Sequence, residues 1–244
     1  MPADMPILVA EGLQKRFGAL VVLDGVGLSI GQGEALGIVG PNGAGKTTLL
    51  SVLSGAQAPN AGSIRFRGDD VTALGAPSRS RRGLARTHQI PRPFLGMTVF
   101  ENVHVAASQA GGAVRSEAYD VATDALALCG MLKIANRPAE TLGLLDRKRL
   151  ELARAMATRP SLLLLDEIGG GLTNVEADEL VGAIRELRQR GISIVWIEHI
   201  VHVLLQVAER LICMDAGRII ADGEPRAVLA DAGVVAAYLG GAPA

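Results

Sequence analysis

The sequence predicts an α/β protein: a mostly parallel sheet covered on both faces, an antiparallel β portion at the N-terminal end, and an α-helical subdomain inserted into the chain. Three observations predict it. Short continuous apolar runs, "EALGIVG", "SLLLLDE" and "ISIVWIE", read as strands buried on both faces. Helix-patterned segments alternate with those strands, the order that builds a parallel sheet. Between residues 76 and 137 the chain turns alanine-rich and helix-like.

Taken in order, residues 7–17 and 20–30 alternate or run apolar with Val, Leu and Ile and read as two strands. "EALGIVG" is the first buried strand, "KTTLLSVLSG" a helix that stops at Gly55, and "GSIRFRG" an alternating strand bounded by glycines. "TVFENVHVAAS" and "SEAYDVATDALALCGML" give the helices of the insert, and "RKRLELARAMAT" an amphipathic helix. "SLLLLD" is a buried strand, "EADELVGAIRELRQRG" a long helix closed by Gly191, and "ISIVWIE" the next strand. "RLICMDAGRIIADG" reads as a hairpin turning at residues 215–217. The tail "GGAPA" reads as frayed. These elements make one domain over 1–244, with an α/β core from 1–75 and 160–244 and an insert over 76–159.

Composition narrows the classes. Apolar residues are 49% and charged residues 20%, a core-forming balance rather than a disordered one. Basic and acidic residues number 24 and 25, so no global field favours nucleic acid. Cys129 and Cys213 sit singly in apolar surroundings and read as buried thiols, not a disulfide or metal pair. The start carries no signal-peptide pattern, and no segment approaches the roughly 20 apolar residues of a spanning helix.

The chemistry begins at residues 40–47. Gly40, Pro41, Asn42, Gly43, Ala44, Gly45, Lys46 and Thr47 fit G-x-x-x-x-G-K-[ST], with a buried strand before and a helix after. Glycines let backbone N–H groups curl around phosphate oxygens. The helix that follows points its positive end at the same anion. Lys46 adds a full charge toward the β and γ phosphates, and Thr47 offers a hydroxyl to Mg²⁺. The fold class is therefore that of a P-loop NTPase. In "SLLLLDE", Asp166 and Glu167 emerge at the sheet's C-terminal edge, where ligands lie in open α/β sheets. By itself an acidic pair after a strand is more often a helix N-cap. Beside a phosphate loop, Asp166 reads as a Mg²⁺ holder and Glu167 as the group that polarises the attacking water.

From Phe17 to about residue 239 the chain resembles the nucleotide-binding subunit of ABC transporters, on "GPNGAGKTT", "RTHQIPRPF…MTVFENV", "LELARAMATRPSLLLLDE" and "IVWIEH". It most resembles the branch serving branched-chain amino acid importers and related amide or urea uptake systems, on "ARTHQIPRPFLGMTVFENV", "IEH" and "VVAAYLGG". The resemblance implies ATP and Mg²⁺ as ligands, Thr48 at the end of the nucleotide loop, and membrane permease subunits as partners. It further implies a periplasmic or extracellular solute-binding protein acting indirectly, and a peripheral place on the cytoplasmic face of the inner membrane. It sets Phe17 where an aromatic stacks on adenine (the alternative is a core position), Gln89 where a glutamine contacts Mg²⁺ and water, and His199 where a switch histidine senses the γ-phosphate. The other three histidines have no such placement. "PRPFLGMTVFENV" places Phe94, Leu95, Met97 and Phe100 where a coupling helix of the membrane subunit docks; core packing is the alternative.

The pattern breaks at one motif and at two single positions. The family pairs two subunits face to face, each ATP lying between one phosphate loop and the other subunit's Leu-Ser-Gly-Gly-Gln. Here that position reads Leu142, Gly143, Leu144, Leu145, Asp146. The serine is a glycine, two glycines are leucines, and the last residue is an acid that repels phosphate. Ile168 replaces a proline and Thr173 an Asp or Asn. The expectation is an asymmetric heterodimer with one fully active ATP site; the alternative is a symmetric, slower enzyme that relies on the N–H groups at Gly143. Rival functions are the ATPase of a lipid or lipopolysaccharide exporter, and a regulatory ATP-binding module with little hydrolysis. Five arginines between residues 79 and 92 read as a solvated helix face rather than an RNA or lipid patch.

Overall fold

The computed structural model describes residues 5–109 and 115–239. The "GGAPA" tail lies outside them. The first two strands, β1 (Leu8–Phe17) and β2 (Leu20–Ile30), pair antiparallel, and β4 (Ala61–Phe66) and the short β5 (Asp69–Asp70) extend them in the order β2-β1-β4-β5. The second sheet has six strands. Its members are β3 (Ala35–Val39), β6 (Leu84–Arg86), β7 (Leu162–Asp166), β8 (Ser193–Ile197), β9 (Arg210–Asp215) and β10 (Arg218–Gly223), in the order β10-β9-β3-β8-β7-β6. Its pairs are parallel from β6 to β9, and only β9–β10 is antiparallel. That last pair is the expected hairpin. Ala216 and Gly217 carry the turn with φ of 43° and 79°, the doubly left-handed geometry of a tight two-residue loop.

The continuous apolar runs are explained by burial on both faces. Leu162 and Leu164 pack with β1, β2 and the helix α1 (Lys46–Leu53), while Leu163 and Leu165 face the other way. On that second side lie α3 (Val99–Gln109), α4 (Arg115–Leu128), α5 (Leu144–Met156) and α6 (Asn174–Gln189). Between α1 and α3 the chain forms the short α2 (Ala76–Arg81), and α7 (Val201–Leu204), α8 (Pro225–Ala230) and α9 (Ala232–Leu239) complete the C-terminal part. Cys129 and Cys213 are buried free thiols.

Two features differ from the sequence reading. Residues 84–86, inside the stretch read as helical, form the edge strand β6 and pair with β7; three residues are too few to show a period. The arginine cluster is not a uniformly solvated face. Arg79 is 1% exposed. Its guanidinium donates to the carbonyls of Val52, Leu53, Thr72 and Leu74 at 2.7–3.0 Å. The first two carbonyls belong to the last turn of α1, where a helix has orphan acceptors and favours a cation. Burial pulls this guanidinium down to about 10, and the Asp70 carboxylate opposes the shift.

Arg79→Met keeps the stem but leaves those carbonyls without a donor. It should lower the unfolding free energy by about 2–4 kcal/mol, read from urea denaturation midpoints at unchanged m.

Candidate active site

Three strands bring the predicted residues to one edge of the six-stranded sheet. The phosphate loop leaves β3 at Val39 and enters α1 at Lys46. Its backbone needs glycine at two places in particular. Gly40 has φ 142° and a Cβ there would sit 2.0 Å from the Met214 carbonyl oxygen; at Gly45, with φ 98°, it would sit 2.6 Å from that of Val22. The loop thus lies directly against β9 and β2. Residues 42–48, with Leu20, Val22 and Glu167, line a cavity of about 350 Å³. Phe17 is 47% exposed, which excludes the core alternative.

Lys46 is buried, and its ammonium donates to the carbonyls of Gly40 at 2.7 Å and Pro41 at 2.9 Å. The side chain therefore folds back along the loop it serves. Burial pulls this ammonium below the usual lysine range, opposed chiefly by the Glu167 carboxylate. The Thr47 hydroxyl donates to Asp166 Oδ1 at 3.4 Å. A hydroxyl and a carboxylate oxygen facing one another beside a phosphate loop fit Mg²⁺, which takes one or two protein oxygens and completes its shell with phosphate and water. Among the described residues no cluster of three or more His, Cys, Asp or Glu is arranged to hold a metal by itself.

Glu167 follows Asp166 with φ 47°, a left-handed backbone seldom adopted by a non-glycine residue and one that clusters at functional sites. The turn aims its carboxylate away from the sheet ladder. One oxygen, Oε1, lies 2.7 Å from His199 Nε2, and the other accepts from the Gln89 amide. So Gln89, Glu167 and His199, 78 and 32 residues apart in pairs, meet at one carboxylate. Gln89 reaches Glu167 rather than the Thr47–Asp166 pair.

The motif residues 142–146 lie away from this cavity. Leu142 is buried, Gly143 is the N-cap of α5 without a side-chain cap, and Leu144 is 46% exposed. The first intrahelical bond runs from Arg147 N–H to Gly143 O at 3.0 Å, so the N–H groups of Leu144, Leu145 and Asp146 point out of the helix end. Asp146 stands in the first turn, where an acid favours the helix dipole, and lies 3.7 Å from Arg149. Thr173 caps α6 through a reciprocal capping box with Glu176.

Four contributors escaped the sequence reading. Arg86 pairs with Asp166 Oδ2 at 2.8 Å and also donates to Ser51 Oγ at 2.9 Å, tying β6 and α1 to the acidic strand end. Tyr238 on α9 accepts from the Gly40 N–H at 2.8 Å. Buried Lys148 and Glu198 flank the Glu167 turn. All four stood inside quoted segments, but nothing local marks their partners.

Comparison with known proteins identifies the family. Residues 23–169 match the ABC transporter family. The chain is 37% identical over 252 residues to the high-affinity branched-chain amino acid transport ATP-binding protein LivG of Escherichia coli, covering 97% of this chain and 99% of that one. It is 32% identical to the lipopolysaccharide export system ATP-binding protein LptB of Haemophilus influenzae, covering 97% and 98%. The crystal structure of the ADP conformation of MJ1267, an ATP-binding cassette of an ABC transporter, superposes with TM-score 0.87 at 30% identity, covering 97% of this chain and all of that one. The chain belongs to the ABC transporter family, as one of its ATP-binding, ATP-hydrolysing cassettes.

Proposed function

We propose that this cassette drives membrane subunits that import branched-chain or related amino acids, and that it works opposite a non-identical second cassette. The observation that carries the catalytic half is the meeting of Gln89, Glu167 and His199 beside the phosphate loop. In this reading the loop N–H groups and Lys46 bind the β and γ phosphates, and Phe17 stacks on adenine. Glu167 orients the attacking water and takes its proton, while His199 holds Glu167 and contacts the γ-phosphoryl group. Mg²⁺, when bound by Thr47 and Asp166 with the nucleotide, neutralises charge on the phosphates. The pairing of His199 with Glu167 argues against a regulatory module that only binds ATP, which needs neither side chain.

Asymmetry is supported by the end of α5. Leu144 and Leu145 put bulk where phosphate must approach, and Asp146 adds a negative charge there. None of these residues lines this chain's own nucleotide cavity, which supports a role toward a partner's ATP. The active site then combines this chain's Lys46, Asp166 and Glu167 with an intact motif from the partner. A cleft of about 330 Å³ between the α/β core and the helical subdomain includes Ser54, Arg86, His88, Ala106, Glu151 and Arg154 in its walls. Close by, Phe94, Leu95 and Met97 are exposed, while Phe100 packs partly buried against the core. That surface fits a helix from a membrane subunit. Among the described residues no helix is long and apolar enough to cross a membrane; in this reading the cassette attaches peripherally at the cytoplasmic face through the membrane subunits. The similarity to LivG supports amino-acid import with a solute-binding protein outside; the similarity to LptB supports lipopolysaccharide export as the second reading.

Glu167→Gln should retain ATP binding and lower hydrolysis by about 10²–10⁴-fold, measured by single-turnover phosphate release. The chain alone should hydrolyse ATP slowly and the mixed assembly faster. Replacing residues 142–146 with the intact motif (Gly143→Ser, Leu144→Gly, Leu145→Gly, Asp146→Gln) should raise the chain's own rate. Brisk hydrolysis by the unaltered chain alone overturns the asymmetry. In the reconstituted transporter, a binding protein loaded with a branched-chain amino acid should stimulate hydrolysis and lipopolysaccharide should not; the reverse result selects export.

A further inference from the structure

We propose that Glu198 is a positioning residue whose buried carboxylate staples the backbone carrying Glu167 to the backbone carrying His199, fixing the contact between those two side chains. The inference rests on the proposed roles of that pair.

The sheet ladder ends where the site begins. Asp166 is in register with Ile197, and the Glu167 N–H makes one more rung to the Ile197 carbonyl at 2.9 Å. Past that rung the two chains separate. One turns through Glu167 into the loop before α6, and the other runs through His199 toward α7. The side chains that must meet are thus carried by segments that share no further ladder. Glu198 supplies the missing tie. Its Oε1 accepts from the Gly169 N–H at 2.5 Å, two residues past Glu167, and its Oε2 accepts from the His199 N–H at 3.2 Å. Each oxygen serves one of the two backbones.

Burial makes this tie strong and specific. Glu198 is 2% exposed, so its bonds to the two N–H groups face no competition from water. Burial pushes its carboxyl above the usual range, while the Gly169 and His199 N–H groups and the charge of Lys148 pull the other way. Lys148 is itself buried on α5, with its Nζ 3.5 Å from the Glu167 carbonyl oxygen. The fit is tight at the far end as well. A Cβ on Gly169 would lie 2.8 Å from Glu198 Oε1, so a side chain there displaces the carboxylate. A shift of about 1 Å between reacting groups can cost on the order of 10²-fold in rate, so a tie that sets this spacing acts on turnover rather than on nucleotide affinity.

Three variants test it in the assembled transporter. Glu198→Gln keeps the shape but turns an NH₂ toward one of the two N–H donors. Glu198→Asp is too short to span both, and Gly169→Ala retains the carboxylate but forces it back. Each should slow single-turnover hydrolysis by about 10-fold or more while the equilibrium Kd for ATP stays within about twofold. In a His199→Ala background, Glu198→Gln should add no further loss, since the contact it positions is already gone. A rate in Glu198→Gln within twofold of the parent overturns the proposal, as does a full additional loss in the His199→Ala background. So does a fall in ATP affinity that matches the fall in rate, the signature of a role in folding alone. If Glu198→Gln does not fold, Gly169→Ala decides by the same criteria. Loss of turnover in Glu167→Gln with none in Glu198→Gln overturns the staple alone; turnover surviving Glu167→Gln overturns the roles of the pair, and the staple with them.

Discussion

The register of β7 against β8 is the constraint on which the site depends. Asp166 pairs with Ile197, so the residues that follow, Glu167 on one strand and Glu198 and His199 on the other, leave the sheet at the same height. Side chains alternate in direction along a strand, so a slip of one residue would turn Asp166 away from Thr47 and exchange which leucines face which core. The register is fixed because both faces are occupied. Leu163, Leu165, Ile194 and Trp196 pack toward the helical side, and Leu162, Leu164, Val195 and Ile197 toward α1 and the antiparallel sheet. Hydrophobic packing of ordinary residues thus sets the geometry of the polar ones, to a precision no loop could supply.

Charge is then handled by committing each buried group to named partners. Arg79 satisfies carbonyls rather than a carboxylate, Arg86 neutralises Asp166, and Lys148 lies between Glu198 and the Glu167 carbonyl. Glu151 is held by Arg154 and by the His88 N–H, and Arg154 also lies over the Phe94 ring and donates to the Arg92 carbonyl. The segment that carries Gln89 is therefore gripped by α5 on one side and ends at Glu167 on the other. Any displacement of the helical subdomain acts on that segment at both points.

What could be read in the sequence was whatever depends on local spacing. Glycines at 40, 43 and 45 with Lys46 announce a phosphate loop because the backbone conformation itself demands them. The four leucines of β7 announce a strand buried on both faces. The insert, the hairpin and the ends of the long helices follow from period and from glycine. What stayed hidden depends on partners far along the chain. Arg79 looks like any surface arginine until α1 is folded over it, and β6 is too short to show alternation. Glu198 accepts from an N–H group 29 residues away, a donor every residue but proline possesses and no pattern reveals.

The hydroxyl of Tyr238 bonds the amide of Gly40 across 198 positions of sequence. Strand β3, from which the loop springs, also lies between β8 and β9, both contributed by the C-terminal third of the chain. Translation proceeds from the other end, with N-terminal segments emerging first. The growing polypeptide therefore carries its phosphate loop without these supports until residues far beyond it in sequence have been added. The amide of Gly40 gains its hydroxyl partner only once a residue 198 positions later has been added, so the finished loop belongs to the folded chain and not to the segment that carries its glycines.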